Sequence, residues 1–344
     1  MKEKTVTTRK NHIFWALLLC ASVLAGGCET ESAPKKKSEL PVVGVFLYSK
    51  DDVYVSLVSQ ALRTALEGRA VVVLRHARAD QIVQNDQISE ALKQGMDALA
   101  VNLVEPYTVT MPLKEAQARK IPVVFFNREP DLSTIKTYEK AAFVGTEARE
   151  AGEIQGRIIR ELWQANPRYD RNGDGIVQYV LLQGNSESPE ALARTEFSVK
   201  EARRLGVPMQ QLGETFICDW SRVQARQAMR VFWPVHGKSV EFVLSNNDSM
   251  ALGALDVLRE QGYNAGDPEK FLPIIGVDAI PEAVDAIRKG DMSATVRQDG
   301  ESMGRVVAEM LLNAVAHKDF LDGLPHAWDA SGVAVRIPYA PIRP

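Results

Sequence analysis

The chain has 344 residues, enough for two domains, with 45% hydrophobic and 25% charged residues, an ordinary globular composition with enough apolar material for a sizeable core. Its formal net charge of -3 leaves no basic surplus of the kind a nucleic-acid-binding domain carries.

Residues 1–28 read as an export signal rather than as part of a fold. Lys2, Lys4, Arg9 and Lys10 make a basic start, and Ile13 to Leu24 is an apolar run too short for a comfortable membrane span. The run ends in Leu24-Ala25-Gly26-Gly27-Cys28, which resembles a bacterial lipoprotein signal in which Cys28 becomes the lipidated first residue. An ordinary secretory signal with an incidental cysteine is the alternative. Losing residues 1–27 removes four basic residues and one acid, so the net charge moves from -3 to about -6. Cys20 leaves with the signal and Cys28 would be acylated, so Cys218 stands alone and no internal disulfide is expected. Residues 29–40 (ETESAPKKKSEL) are polar without an apolar period and read as a flexible tether, with Lys35 to Lys37 as a solvated run.

From Val42 onward strands and helices alternate. Val42 to Tyr48 (VVGVFLY) is a compact apolar run, a buried strand, and Val53 to Leu66 carries Val55, Val58, Leu62 and Leu66 at helical spacing. Ala70 to Leu74, Ala98 to Leu103 and Ile121 to Phe126 read as further strands, with helices over 81–94 and 107–119 between them. Apolar runs without polar alternation say that both faces of the sheet are covered, as in a parallel sheet built from βαβ units.

The rhythm then restarts with a helix over 147–163. Next comes Asp170 to Gln178 (DRNGDGIVQ), with side-chain oxygens at Asp170, Asn172 and Asp174, a glycine at Gly175 and a further oxygen at Gln178. This is the pattern of the first nine positions of a calcium loop, with Ile176 giving its backbone carbonyl. Position 12 is Leu181, inside a strand, so a calcium site here must borrow its last carboxylate from elsewhere; a plain Asp/Asn/Gly turn is the alternative. The strand 177–182, the helix 190–205, the strand 242–245 with the helix 249–261, and the strand 273–277 with the helix 281–289 complete a second lobe. The expected fold is α/β, two doubly wound parallel-sheet lobes joined by a hinge.

Crevices in such sheets lie off the carboxyl ends of the strands. Those ends carry Asp51, Asp52 and Tyr54, then Asn127 and Arg128, then the loop 184–190, then Asn246, Asn247 and Asp248, then Asp278. Carboxylates and amides make paired hydrogen bonds and can grip adjacent ring hydroxyls. Arg194 adds a fixed fork of donors, and Tyr54 and Trp220 could sandwich the C–H faces of a sugar ring. Asp52, Asn247 and Asp278 each precede a helix and could equally be N-caps. There is no G-x-S-x-G, H-E-x-x-H or Walker A pattern, and the five histidines are scattered.

The segments QNDQI (84–88), PVVFFNREP (122–130), DRNGDGIVQYVLLQG (170–184), ALARTEFSVKE (191–201), SNNDSMALGA (245–254), GVDAIPEA (276–283) and VRIPY (335–339) resemble, in order, the bacterial periplasmic glucose/galactose-binding branch of the type I periplasmic substrate-binding proteins. The likeness spans roughly residues 41 to 340. It implies two lobes, 41–145 with about 298–332 and 146–297 with about 333–344, closing on one monosaccharide. Carried over residue by residue, the sugar positions fall on Asp52, Tyr54, Asn127, Ser188, Glu190, Arg194, Trp220, Asn247, Asp278 and Gln298. The calcium positions fall on Asp170, Asn172, Asp174, Ile176 and Gln178, with Glu241 as the borrowed carboxylate. Tyr54 replaces a phenylalanine, Ser188 a histidine, Glu190 an aspartate and Gln298 an asparagine. Glu190 thereby reaches about 1.5 Å further.

The resemblance implies a monomeric receptor, lipid-anchored in the periplasm or at the cell surface, presenting its sugar to an ABC importer or a chemosensory receptor and binding no nucleic acid. A pentose, a modified hexose or a signalling furanose is the alternative ligand. An enzyme acting on carbohydrate would need two carboxylates flanking the scissile bond, and no such pair is defined by the sequence. A DNA-binding regulator would need a helix-turn-helix upstream, where only the signal and tether stand.

Overall fold

The computed structural model describes residues 40–344, so the export signal, Cys28 and most of the tether lie outside the described residues. The first half alternates strictly: β1 (Val42–Leu47), α1 (Val53–Leu66), β2 (Val71–His76), α2 (Gln81–Lys93), β3 (Ala98–Val101), α3 (Thr110–Ala118), β4 (Val123–Phe126), α4 (Leu132–Ile135) and β5 (Ala141–Gly145). The second half repeats the pattern as α5 (Ala148–Ala165), β6 (Val177–Gln183), α6 (Pro189–Arg204), β7 (Met209–Gln211), β8 (Phe216–Ile217), α7 (Arg222–His236), β9 (Phe242–Ser245), α8 (Asp248–Glu260), β10 (Ile274–Asp278), α9 (Pro281–Arg288) and β11 (Ala294–Gln298). It closes with α10 (Gly300–Val315), β12 (Ala334–Arg336) and β13 (Tyr339–Ile342).

Two sheets result. The first runs β2-β1-β3-β4-β5-β12, all parallel; the second runs β7-β6-β9-β10-β11-β13, parallel except for antiparallel β13. Uncut apolar strands make this possible: all of VVFF in β4 and ALAV in β3 is buried. Alternate residues go to opposite faces, so Val43, Val45 and Leu47 of β1 pack with Val58 and Leu62, while Phe46 packs with Ile88 and Leu113. In each sheet the order doubles back beside its first strand, between β1 and β3 and between β6 and β9, and crevices form at such switch points.

Helices pair across the outer layers, α1 on α10, α5 on α6 and α7 on α8. Gly304 sets the α1–α10 spacing: a Cβ there would lie 2.4 Å from the Val58 carbonyl oxygen. The helices α7 and α10 fall where the sequence reading places no element.

The chain passes between lobes three times, at residues 146–147, at Asp299 and at 337–338. The Ile337 N–H donates to the Gly145 carbonyl at 2.7 Å and binds the first and third crossings together. The boundary expected near residue 332 therefore moves: β12 pairs with β5 in the first lobe, and only β13 belongs to the second. The cause is the hinge itself, because the last loop must re-enter the first sheet before the chain can cross.

Candidate functional site

The carboxyl ends of both sheets face one pocket. It is lined by Asp52, Tyr54, Asn127, Ser188, Glu190, Arg194, Trp220, Asn247, Asp278 and Gln298, the ten positions singled out from sequence, together with Tyr48 and Arg128. Helix capping and the pocket are not alternatives. Asp52 caps α1, accepting the Val55 N–H at 2.9 Å, and its other oxygen accepts the Tyr48 hydroxyl at 2.5 Å. Asn247 caps α8 through the Met250 N–H at 2.9 Å. Asp278 caps nothing, since the residue preceding α9 is Ile280.

The first lobe presents a rigid wall. Arg128 lies over the Tyr48 ring at 3.8 Å from its centroid and donates to the carbonyls of Leu103 and Val104. Asn127 sits at φ 66°, and its side-chain oxygen accepts from Asn102 at 3.2 Å. Tyr54 is buried, and its hydroxyl is turned to Met303 Sδ at 3.7 Å, so its ring reaches the pocket and its polar end does not.

The second lobe supplies most of the charge. Arg194 is buried, with one terminal nitrogen donating to the Asn246 carbonyl at 2.9 Å and the other to Gln298 Oε1 and the Tyr339 hydroxyl, both at 2.8 Å. Its Nε has no partner among the described residues. Burial works against the Arg194 charge, yet Tyr339 and Asp278 outweigh it and hold the guanidinium firmly protonated. Asp278 lies 3.8 Å from Arg194, and burial pushes its carboxyl well above the usual range, with the neighbouring Asp248 adding to the push. Trp220 stands on Gly184, where a Cβ would come within 2.4 Å of the ring, and its indole N–H also has no partner among the described residues. Asn127, Trp220 and Asp278 hold φ values of 66°, 64° and 113°. Three such non-glycine residues in one pocket mark it as a place where backbone strain is kept for a use.

Asp248, beneath the pocket, accepts the Thr295 hydroxyl at 2.7 Å and the Ile280 N–H at 2.9 Å, which fixes the turn after Asp278. Burial pushes its carboxyl up to about 7. Ser188 and Glu190 do not simply face the cavity: the Ser188 hydroxyl donates to Glu190 Oε2 at 2.7 Å, and Glu190 Oε1 accepts the Glu129 N–H of the first lobe at 2.9 Å. Beyond Ser188 and Trp220 the pocket opens into an interlobe cleft of about 700 Å³, crossed at its rim by the Tyr107 hydroxyl to Glu187 at 3.3 Å.

Sequence reasoning missed Tyr48 and the role of Arg128. Tyr48 directly follows β1, at the same kind of strand end that pointed to the others.

The loop 170–178 lies apart from this pocket. Gly173 and Gly175, at φ 73° and 74°, turn it tightly, and Asp170 accepts both of their N–H groups at 2.9 and 3.0 Å. Glu241 is buried and accepts the Arg171 and Gln178 N–H groups at 2.6 and 3.1 Å. Burial pushes its carboxyl up, helped by Asp170. The amides of Asn172 and Gln178 both donate to Asp174 Oδ2, at 3.0 and 2.8 Å. Among the described residues no three His, Cys, Asp or Glu side chains converge as a metal cluster. The oxygens here are a mixed set of carboxylates, amides and the Ile176 carbonyl. Turning the two amides end for end would aim their oxygens at the Asp174 carboxylate, and an all-oxygen set suits a hard cation.

Residues 43–319 match the periplasmic binding protein domain. The D-galactose/methyl-galactoside binding periplasmic protein of Haemophilus influenzae is 37% identical over 303 residues, covering 86% of this chain and 88% of that one. The ribose import binding protein of Bacillus subtilis is 25% identical over 260 residues, 74% and 75% of the two chains. Among solved structures, an ABC transporter solute binding protein from Bacillus halodurans with bound myo-inositol superposes with a TM-score of 0.73 at 21% identity, covering 90% of this chain and 96% of that one.

Proposed function

The chain belongs to the periplasmic binding protein domain family, and from that premise we propose that it captures one monosaccharide between its lobes and presents the closed form to a membrane partner. It is a binding protein and not an enzyme. One observation carries the ligand class: side chains from both sheets, the carboxyl groups of Asp52 and Asp278, three carboxamides and a buried guanidinium, meet at one pocket with Tyr54 and Trp220. Paired acceptors and donors suit adjacent hydroxyls, and flat aromatic faces suit C–H faces. Because the ligand would bridge both lobes, it favours the closed state by contacts that the open state lacks.

The galactose relative supports a glucose- or galactose-like hexose. The changes at Ser188, Glu190 and Gln298 favour keeping a pentose, a modified hexose or a furanose as the second reading. An ABC importer fits as the partner, a chemosensory receptor is the other candidate, and a monomer suffices for this job. The family supports work in the periplasm, with the cell surface as the alternative, and the lipoprotein-like sequence before Cys28 supports a lipid anchor. Among the described residues no helix is long and apolar enough to cross a membrane.

We further propose calcium in the loop 170–178, held by Asp170, Asn172, Asp174, the Ile176 carbonyl, Gln178 and Glu241. The ion would fix the turn that leads into β6. A ligand of the native state stabilises it by roughly 4 kcal/mol at a thousandfold excess over its dissociation constant. A chelator should therefore lower the melting temperature of the wild type and leave Asp174→Ala unaffected; equal melting of the wild type with and without chelator removes the calcium reading.

The deciding experiment is a thermal-shift panel of monosaccharides. A hexose that raises the melting temperature supports the first reading. A shift with only a pentose or furanose supports the second, and a panel with no shift discards both.

A further inference from the structure

We infer that Glu190 is a positioning residue that latches the second lobe onto the first, rather than a grip on the ligand. Glu190 lies in the first turn of α6, and its carboxylate crosses the cleft to accept the Glu129 N–H at 2.9 Å. The Ser188 hydroxyl holds the other oxygen at 2.7 Å. Ser188 is itself anchored as the N-cap of α6, accepting the Ala191 N–H at 3.3 Å. Glu190 and Ser188 are 8% and 6% exposed, so water competes poorly for the bond across the cleft. A carboxylate accepting a main-chain N–H is charge-assisted, and its place at a helix N-terminus favours the charge further. An aspartate would stop about 1.5 Å short of this contact.

The far end of the latch is not a free loop. Glu129 receives both terminal nitrogens of Arg336, which also donates to the Thr146 carbonyl at 2.9 Å and to Asp329 at 2.8 Å. Thr146 and Arg336 flank the first and third crossings between lobes. The latch and the hinge therefore share Glu129, and a bond formed at the cleft is carried to the strands about which the lobes turn. The consequence is a closed state populated before ligand arrives, which raises apparent affinity in proportion to that population.

The inference rests on the two-lobed receptor reading, but its test uses no sugar, so the two can fail separately. Small-angle X-ray scattering of the ligand-free protein should give a larger radius of gyration for Glu190→Asp than for wild type. Glu190→Gln, which keeps the length and an acceptor oxygen but loses the charge assistance, should fall between the two. Identical ligand-free scattering for wild type and Glu190→Asp overturns the latch. Should Glu190→Asp not fold, residue-resolved amide exchange on the wild type decides: Glu129 should exchange at least tenfold slower than an unbonded loop amide, and free exchange there overturns the inference.

Discussion

Asp278 holds its carboxylate 3.8 Å from the Arg194 guanidinium, at a residue whose φ is 113°. Such a group suits a hydroxyl-bearing ligand, because its desolvation is already met in the folded protein. Asp278→Asn keeps the shape but turns one carboxyl oxygen into an amide donor, and leaving a buried polar partner unmatched costs about 1–3 kcal/mol. Affinity for the bound sugar should fall roughly 10- to 100-fold by titration calorimetry; a change below threefold would take Asp278 out of the grip. Asp248 works one step back and shows itself through pH. Its folded value of about 7 lies above the unfolded carboxylate value of about 3.9, so the folded state binds the extra proton between them. Stability from this group is present at low pH and is lost as pH rises through 7. Relative to Asp248→Asn, the wild type should lose up to roughly 4 kcal/mol between pH 4 and pH 8 in urea titrations. Parallel curves for the two proteins would deny that Asp248 titrates there. Much of the pocket was legible in sequence because its polar residues sit at strand ends, where one rule finds them, while Gln298 came only with the family resemblance. The roles of Tyr48 and Arg128 were not legible, although both stand at strand ends, because those roles depend on contacts no spacing displays: a hydroxyl bonded to Asp52, and a guanidinium laid over the tyrosine ring. Glu190 lines the pocket wall, but its bond to Glu129 across the cleft exists only once the lobes have met.

Strands buried on both faces announced themselves, and β1, β3, β4, β6, β9 and β10 stand within two residues of where their apolar runs put them. The helices α7 and α10 did not. Pro234 lies inside α7 and reads as a breaker, although Ala225, Met229 and Phe232 keep the period. In α10 the glycines Gly300 and Gly304 lower helix propensity, and their reason is tertiary: both face α1, where Tyr54 and Val58 come close. The membership of β12 and β13 was illegible for another cause, since two short strands separated by two residues join different sheets only because the hinge lies between them. Gly304→Ala sets the two scales against each other. Alanine gains up to about 1 kcal/mol of helix propensity. Overpacking costs about 1–3 kcal/mol, and the atom met at 2.4 Å is a main-chain oxygen that cannot turn aside. Packing should win, with a net loss near 1–2 kcal/mol by urea denaturation; a stabilised variant would mean that α1 and α10 can part without penalty.

Across the whole molecule, Arg336 is where closure and hinge meet. Its guanidinium joins Glu129 on the first lobe's cleft wall, Asp329 in the loop before β12, and the Thr146 carbonyl at the first crossing. Burial works against its charge, and the two carboxylates outweigh that and keep it protonated. Arg336→Gln leaves Glu129 without its cation, so the peptide that Glu190 holds is less firmly placed. Encounter with ligand occurs on the open form, where this contact matters little, while escape requires the closed form to open. Loosening the hinge should therefore act on dissociation, as most affinity changes do. A loss of about 1.4 kcal/mol from the closed state speeds release about tenfold. Trp220, half-buried in the pocket, is placed to report the event in stopped-flow fluorescence with whichever sugar gives the thermal shift. If the melting temperature falls while the release rate stays at the wild-type value, the Arg336 network only holds the first lobe together, and the force that closes the lobes comes from the ligand.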